Sequence, residues 1–286
     1  MYWKCGQHTL RNYLILKVIN YFGPKNNIMA STLQDTLGVI RNLKNNRVPG
    51  EDSITSELIK YGGRKLWNRI YQLIKIIWET EQMPQEWGTA IICPVYNQGD
   101  KLECRNYRGI SLLSVTYKIF TNLLTRYIEP YVDEISGDYQ CGFRKGRSTS
   151  DQIFCLIMIL EKAHEYKVGI HQLYIDYKQA YDIINRAELV ETMKEFGIPM
   201  KLVRLVRMTL TNTNSKVKIQ RKQSLSFETI GLRQGDSLST LLFNLCMEKI
   251  IRNVRINPGG TSFNRTRQCL AYANDVVIMA RTEGYI

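Results

Sequence analysis

Asp176 closes the short run Leu173-Tyr-Ile-Asp176, and Asp275 sits inside Leu270-Ala-Tyr-Ala-Asn-Asp-Val-Val-Ile-Met279. Divalent magnesium takes hard oxygen ligands. Two such ions roughly 3.5–4 Å apart can activate a hydroxyl and hold a leaving pyrophosphate, provided that carboxylates from separate strands converge on them. These two segments are suited to that convergence. Asn274 stands beside Asp275 where a further carboxylate would complete the set. An amide keeps one neutral oxygen but removes a full charge next to the ions, where local charge dominates. No Ser-His or Cys-His arrangement suggests a protein nucleophile instead.

Charge points to an anionic partner. The 286 residues carry 39 Lys and Arg against 26 Asp and Glu, a net charge of +13. Between positions 201 and 222, Lys201, Arg204, Arg207, Lys216, Lys218, Arg221 and Lys222 occur with no acidic residue among them. That pattern suits a nucleic-acid backbone, and equally a solvated basic face. Arg144, Lys145 and Arg147 precede Ser148-Thr-Ser-Asp151. A basic loop entering a helix N-terminus can hold phosphate, or can be a solvated turn.

Seven scattered cysteines with no C-x-x-C pair, and three histidines, favour neither a disulfide framework nor a zinc site. Cys5 and His8 have C-x-x-H spacing, but no second pair accompanies them. Reduced thiols, with no apolar stretch near the ~18 residues of a membrane span and no signal-peptide pattern, indicate an intracellular chain in nucleus or cytoplasm with no membrane partner.

The length allows one or two domains. Apolar spacing predicts a helix from Ser31 to about Leu43, and a second reaching Tyr61, capped by Asp52 or Ser53 and stopped by Gly62-Gly63. Leu66, Ile70, Leu73, Ile74, Ile77 and Trp78 share one helix face. Ala90–Tyr96 reads as a strand with an edge proline, and residues 111–128 as helix. Ser148 to Asp151 caps a helix to about Tyr166, and Leu173–Asp176 is a strand. Helical spacing from Lys178 to Phe196, which Asp182 would cap or support, stops at Gly197-Ile-Pro199. A helix over 200–210, a strand at Lys216–Ile219 and a helix after the Gly231–Ser237 loop follow. Gln268–Ala280 reads as a hairpin with Asn274-Asp275 at a tip that tolerates positive φ.

The ordered set Pro49-Gly-Glu-Asp52, Asn106-Tyr-Arg-Gly-Ile-Ser-Leu112, Gln140-Cys-Gly-Phe-Arg-Lys-Gly-Arg147, Ile175-Asp176 to Tyr181-Asp182, Gly231-Leu-Arg-Gln-Gly-Asp236 and Tyr272-Ala-Asn-Asp275 resembles the reverse transcriptases of LINE-type, non-LTR retrotransposons. The resemblance implies an α+β right-hand polymerase, with helical fingers over 46–170 and a palm with a small antiparallel sheet over 171–286. Residues 1–45 form an extension of unassigned role, and the expected thumb and endonuclease find no room, as in a fragment of a mobile-element polyprotein.

The same resemblance implies RNA-directed DNA polymerisation using an RNA template, a DNA primer, deoxynucleoside triphosphates and two Mg²⁺ ions, with Mn²⁺ as a substitute. Asp176, Asp275 and Asn274 then stand at the catalytic positions, the two aspartates as metal ligands. Tyr181 lies under the incoming sugar, and Gln234 and Gly235 pack against the nascent base pair. Arg108 and Lys101 grip the triphosphate. Arg144, Lys145, Arg147, Lys201, Arg204, Lys216 and Lys218 follow nucleic acid. Asn274 and Ser237 depart from the pattern, which has aspartate and proline there, and Asn274 implies severe loss of activity. The rival reading is a non-catalytic remnant that binds RNA or DNA.

Overall fold

The computed structural model describes residues 28, 30–177, 179–254 and 269–281. Cys5, His8, Lys178 and Gln268 therefore lie outside the described residues. The chain divides into two compact units, one built from residues up to Ile128 with Asn185–Ser239, the other from Glu129–Ile184 and from Thr240 onward.

In the first unit, helix α1 (Leu33–Arg41) begins at Thr32, whose hydroxyl and Asp35 form a reciprocal capping box. Helix α2 (Ser56–Lys60) is capped by Thr55, not by Asp52 or Ser53. Asp52 instead accepts from Ile54 N at 3.1 Å and from Ser114 Oγ at 2.7 Å, so its carboxylate closes the turn and ties it to a distant segment. Helix α3 (Gly63–Thr80) buries Ile70, Ile74, Ile77 and Trp78, while Leu66 at the start of the stripe stays exposed.

Strand β1 (Thr89–Tyr96) pairs antiparallel with β2 (Tyr107–Leu112) and parallel with β4 (Asn214–Ile219); the short β5 (Lys222–Gln223) and β6 (Phe227–Glu228) pair with β4. Strand β1 is thus central rather than an edge. Strand β4 pairs only with Thr89–Ile92, however, so Pro94 falls where that ladder has ended. Positions 111 and 112 belong to β2, and helix α4 (Val115–Ile135) starts later and runs further than apolar spacing suggests, because a run such as Ile110-Ser-Leu-Leu satisfies strand and helix periods alike. Tyr117, Phe120, Leu123 and Leu124 of α4, with Leu202, Leu205 and Val206 of α7 (Met200–Leu210), are almost fully buried. Each such side chain contributes roughly 1.5–3 kcal/mol.

The second unit holds helix α5 (Thr149–Glu165), started by a Ser148–Asp151 capping box, and a three-stranded antiparallel sheet. Its order is β3 (His171–Asp176), β8 (Asp275–Ala280), β7 (Cys269–Tyr272). After β3, residues 179–183 are turns and α6 (Arg186–Glu195) begins only behind Asn185, whose Oδ1 accepts from Ala187 N and Glu188 N. Asp182 is therefore not the helix cap; the Asn185 side chain supplies it. Helix α8 spans Ser237–Asn253. Among the described residues, no helix is long and apolar enough to cross a membrane.

Candidate functional site

The antiparallel register of β3 and β8 brings Asp176 and Asp275 opposite each other as cross-strand partners. Both residues are exposed and both stand at the termini of their strands, so the pair lies at one end of the sheet. Directly opposed side chains lie about 4.5–5.5 Å apart at Cβ. Asn274 occupies the two-residue turn between β7 and β8, and its Nδ2 donates to Asp176 Oδ1 at 3.0 Å. The positive φ expected in this turn falls on Ala273, at 56°, rather than on Asn274 or Asp275.

Tyr181 belongs to an aromatic stack. The Tyr181 ring is parallel to Phe243, with centroids 4.9 Å apart and planes at 15°, and Phe143 meets it edge-on at 6.5 Å. Offset stacking of this kind contributes beyond area burial. Burial alone pushes the Tyr181 phenol well above its usual range, so it stays protonated. Burial also raises the Asp182 carboxyl.

Arg108, Lys101, Gln234 and Gly235 belong to the first unit. Arg108 is an exposed residue of β2, opposite Val95. Lys101 is exposed on the loop joining β1 to β2, with Nζ 5.6 Å from the Tyr96 ring centroid. Tyr107 Oη donates to Lys101 O at 2.9 Å, which holds that loop against its own strands. Gln234 O accepts from Ser111 N at 2.7 Å, and Gly235 has φ 108° with Ser111 O only 3.0 Å from where a Cβ would stand. A side chain at 235 meets both a strained backbone and a collision. Next to it Asp236 is buried, accepting from Tyr117 Oη at 3.0 Å and Leu238 N at 3.1 Å. Burial nonetheless raises its pKa.

Most of the assigned cations are already engaged. Arg144 donates to the carbonyls of Asp133, Gly137, Ser136 and Gln140 and to Asp133 Oδ1, which makes it a structural clasp. Lys145 pairs with Glu129 at 2.8 Å and Arg147 with Asp138 at 3.1 Å, both with exposed side chains. Lys201 and Arg204 share Glu81, at 2.8 Å and 2.7 Å, and Lys216 pairs with Glu51. Lys218 is half-buried in β4 opposite Gln223. A sequence window free of acids did not reveal these partners because they come from distant segments.

Sequence reading also missed Gln140, which it grouped with the basic loop that follows. Its buried side chain contacts Ala273 in the hairpin turn. The only hint was its place in a motif shared with Gly142.

Two carboxylates on adjacent strand ends are a hard-oxygen donor pair that suits a divalent cation. No group of three or more His, Cys, Asp or Glu that could hold a metal occurs among the described residues. The residues fit a magnesium-type ion at Asp176 and Asp275, with one charge fewer than two ions would draw on. Thiol chemistry is disfavoured nearby, since burial pushes Cys246 up to about 12 and Cys269 up to about 11.

The family described as reverse transcriptase (RNA-dependent DNA polymerase) matches residues 97–284. The chain is 24% identical over 255 residues to a 149 kDa protein of transposon TX1 from Xenopus laevis, covering 87% of this chain and 19% of that protein. It is 25% identical over 236 residues to the Pol polyprotein of the type-2 retrotransposable element R2DM of Drosophila melanogaster, covering 82% and 22%. It is 21% identical over 264 residues to the RNA-directed DNA polymerase of the Drosophila mobile element jockey, covering 91% and 28%. The chain thus spans 19% to 28% of the length of these relatives. In fold it is similar to an apo telomerase from Candida tropicalis, truncated from its C-terminal domain, with a TM-score of 0.53 at 12% identity over 77% of this chain and 50% of the other.

Proposed function

The chain belongs to the reverse transcriptase (RNA-dependent DNA polymerase) family, its relatives being proteins of LINE-type, non-LTR elements, and from that membership we propose that it is the RNA-directed DNA polymerase domain of such an element. The reaction is addition of deoxynucleotides to a primer 3′-OH on an RNA template. The observation that carries this reading is the register pair Asp176–Asp275 at the exposed end of an antiparallel sheet.

In this reading residues 46–170 serve as fingers and 171–286 as palm of a right-hand polymerase. Asp176 and Asp275 hold magnesium, or manganese in its stead, and Asn274 contributes at most a neutral oxygen. Bound there, the cation supplies activation of the primer hydroxyl and neutralises charge on the departing pyrophosphate. The chain's own residues position the reactants. Tyr181, braced by Phe243, bears against the sugar of the incoming nucleotide. Gln234 and Gly235 offer a backbone surface to the nascent pair, and Arg108 and Lys101 offer charge-assisted donors to the triphosphate. Lys145, Arg147 and Lys218 follow the nucleic-acid backbone.

Asn274 leaves this copy severely impaired. Each ~1.4 kcal/mol lost from transition-state stabilisation is a tenfold loss of rate, and removing one charge beside bound cations costs several such steps. The hydrogen bond from Asn274 to Asp176 favours the second reading, a nucleic-acid-binding module without catalysis. Primer extension on an RNA template with Mg²⁺ decides between them, comparing the native chain, Asn274→Asp and Asp176→Ala. Silence of the native chain with extension by Asn274→Asp supports the polymerase reading with an impaired site. Rates within threefold of each other refute the impairment, and silence in all three with retained RNA binding supports the binding module.

A further inference from the structure

The segment Tyr139–Gly142 runs beside β7 as a short parallel extension of the sheet. Ala271 N donates to Tyr139 O at 2.8 Å, Cys141 N donates to Ala271 O at 2.9 Å, and Gln140 bridges Ala271. At the turn this extension stops being backbone. The Gln140 side chain, 2% exposed, accepts at Oε1 from Ala273 N at 2.8 Å and from Gly142 N at 2.8 Å, and its Nε2 donates to Ala273 O at 3.2 Å. One amide thereby satisfies both polar groups of a single turn residue.

That residue needs holding. Ala273 has φ 56°, a region that residues with a Cβ rarely adopt, and a positive φ at the first of two turn residues is the feature for which hairpins select glycine. Asn274 and Asp275 are the next two residues. The approach is close, because a Cβ on Gly142 would stand 2.1 Å from Ala273 N. Asn244 Nδ2 fixes the Gly142 carbonyl at 3.0 Å.

We propose that Gln140 is a positioning residue: its amide fixes the strained Ala273 turn, and through that turn sets how Asn274 and Asp275 face Asp176. The proposal rests on the reading of Asp176 and Asp275 as the metal-holding pair. A carboxylate at 140 accepts from the two N–H groups but has no donor for Ala273 O, and an apolar side chain makes none of the three bonds.

The test uses the full chain with nitrogen-labelled side-chain amides. The signal is the shift of the Asn274 side-chain NH₂ resonance that disappears in Asp176→Ala, read without metal, together with Mn²⁺ affinity. Gln140→Met is expected to lose that shift and to raise the Mn²⁺ Kd roughly tenfold, as loss of a partner behind a ligand does. Gln152→Leu is the control, since Gln152 Nε2 donates to Tyr139 O and Cys141 Sγ, holding the same segment without touching Ala273. It is expected to lower Tm while leaving both signals in place. Should Gln140→Met not fold, Gln140→Leu, which likewise makes none of the three bonds, decides by the same two signals. A folded Gln140 variant that keeps the Asn274 shift and a Mn²⁺ Kd within twofold of the native chain overturns the proposal. A native chain that binds no Mn²⁺ overturns the metal-site reading instead, because the Asn274 shift is measured independently of it.

Discussion

Asn274 Nδ2 donates to Asp176 Oδ1 at 3.0 Å, so the amide stabilises the carboxylate that it stands beside. Replacing it with aspartate exchanges that bond for repulsion among three carboxylates at one sheet end. The metal-free Asn274→Asp chain is expected to melt below the native one, by about 2–4 °C for each ~1 kcal/mol lost. Millimolar Mg²⁺ then restores the difference by binding the folded state. Scanning calorimetry with and without Mg²⁺ checks this, and equal Tm shifts in both chains would refute it.

Tyr181 stacks on Phe243 at 4.9 Å and 15°, and its raised pKa has burial as its cause. If the ring bears on the sugar, its area matters and its hydroxyl does not. Tyr181→Phe in the Asn274→Asp background is expected to extend primers normally and discriminate against ribonucleotides as before. Tyr181→Ala loses the stack, costs about 2 kcal/mol of stability, and admits ribonucleotides. The ratio of kcat/KM for deoxy- and ribonucleotides reads the difference, and an unchanged ratio in Tyr181→Ala would remove the ring from that role.

Local signals carried well where the deciding physics was local. The Ser148–Asp151 box, the helix Met200–Leu210 and the pairing of β7 with β8 all join residues close in sequence. Long-range partners were not legible. Asp52 reads as a cap until Ser114, 62 positions away, is seen to donate to it. Lys201 and Arg204 read as free cations until Glu81, 120 and 123 positions away, is seen between them. Gln140 is the same case at the candidate site, since its partner Ala273 lies 133 positions off.

Arg144 and Lys145 are neighbours in a basic loop with opposite duties. The Arg144 guanidinium has an 11% exposed side chain and reaches four carbonyls, while the Lys145 side chain is 82% exposed. Arg144→Lys is expected to cost about 2 kcal/mol of stability, because an ammonium cannot span the fork, with little change in RNA affinity. Lys145→Ala should leave Tm within about 1 °C and weaken RNA binding at low salt. Thermal melts and RNA titrations on both variants separate the two, and reversed effects would show that Arg144 contacts nucleic acid.

Glu81 holds Lys201 and Arg204 together, and the hydrogen bond from Arg204 is the main reason that its carboxyl lies below the usual range. A depressed carboxylate stabilises the fold at all pH values above its unfolded pKa, about 4.3, and that stability is lost as pH falls through the lower folded value. Glu81→Gln is therefore expected to lower stability at neutral pH by about 1 kcal/mol, a modest figure because the Arg204 side chain is half exposed, and the gap should close as pH falls through the lowered folded pKa. The same change releases two cations. If their face follows RNA, the variant binds a single strand more tightly and its log–log salt dependence steepens by up to about 1.4, at ~0.7 per phosphate contact. Titrations across a salt series decide: a lowered neutral Tm with an unchanged salt slope would take Lys201 and Arg204 off the nucleic-acid path and leave Glu81 a purely structural clamp.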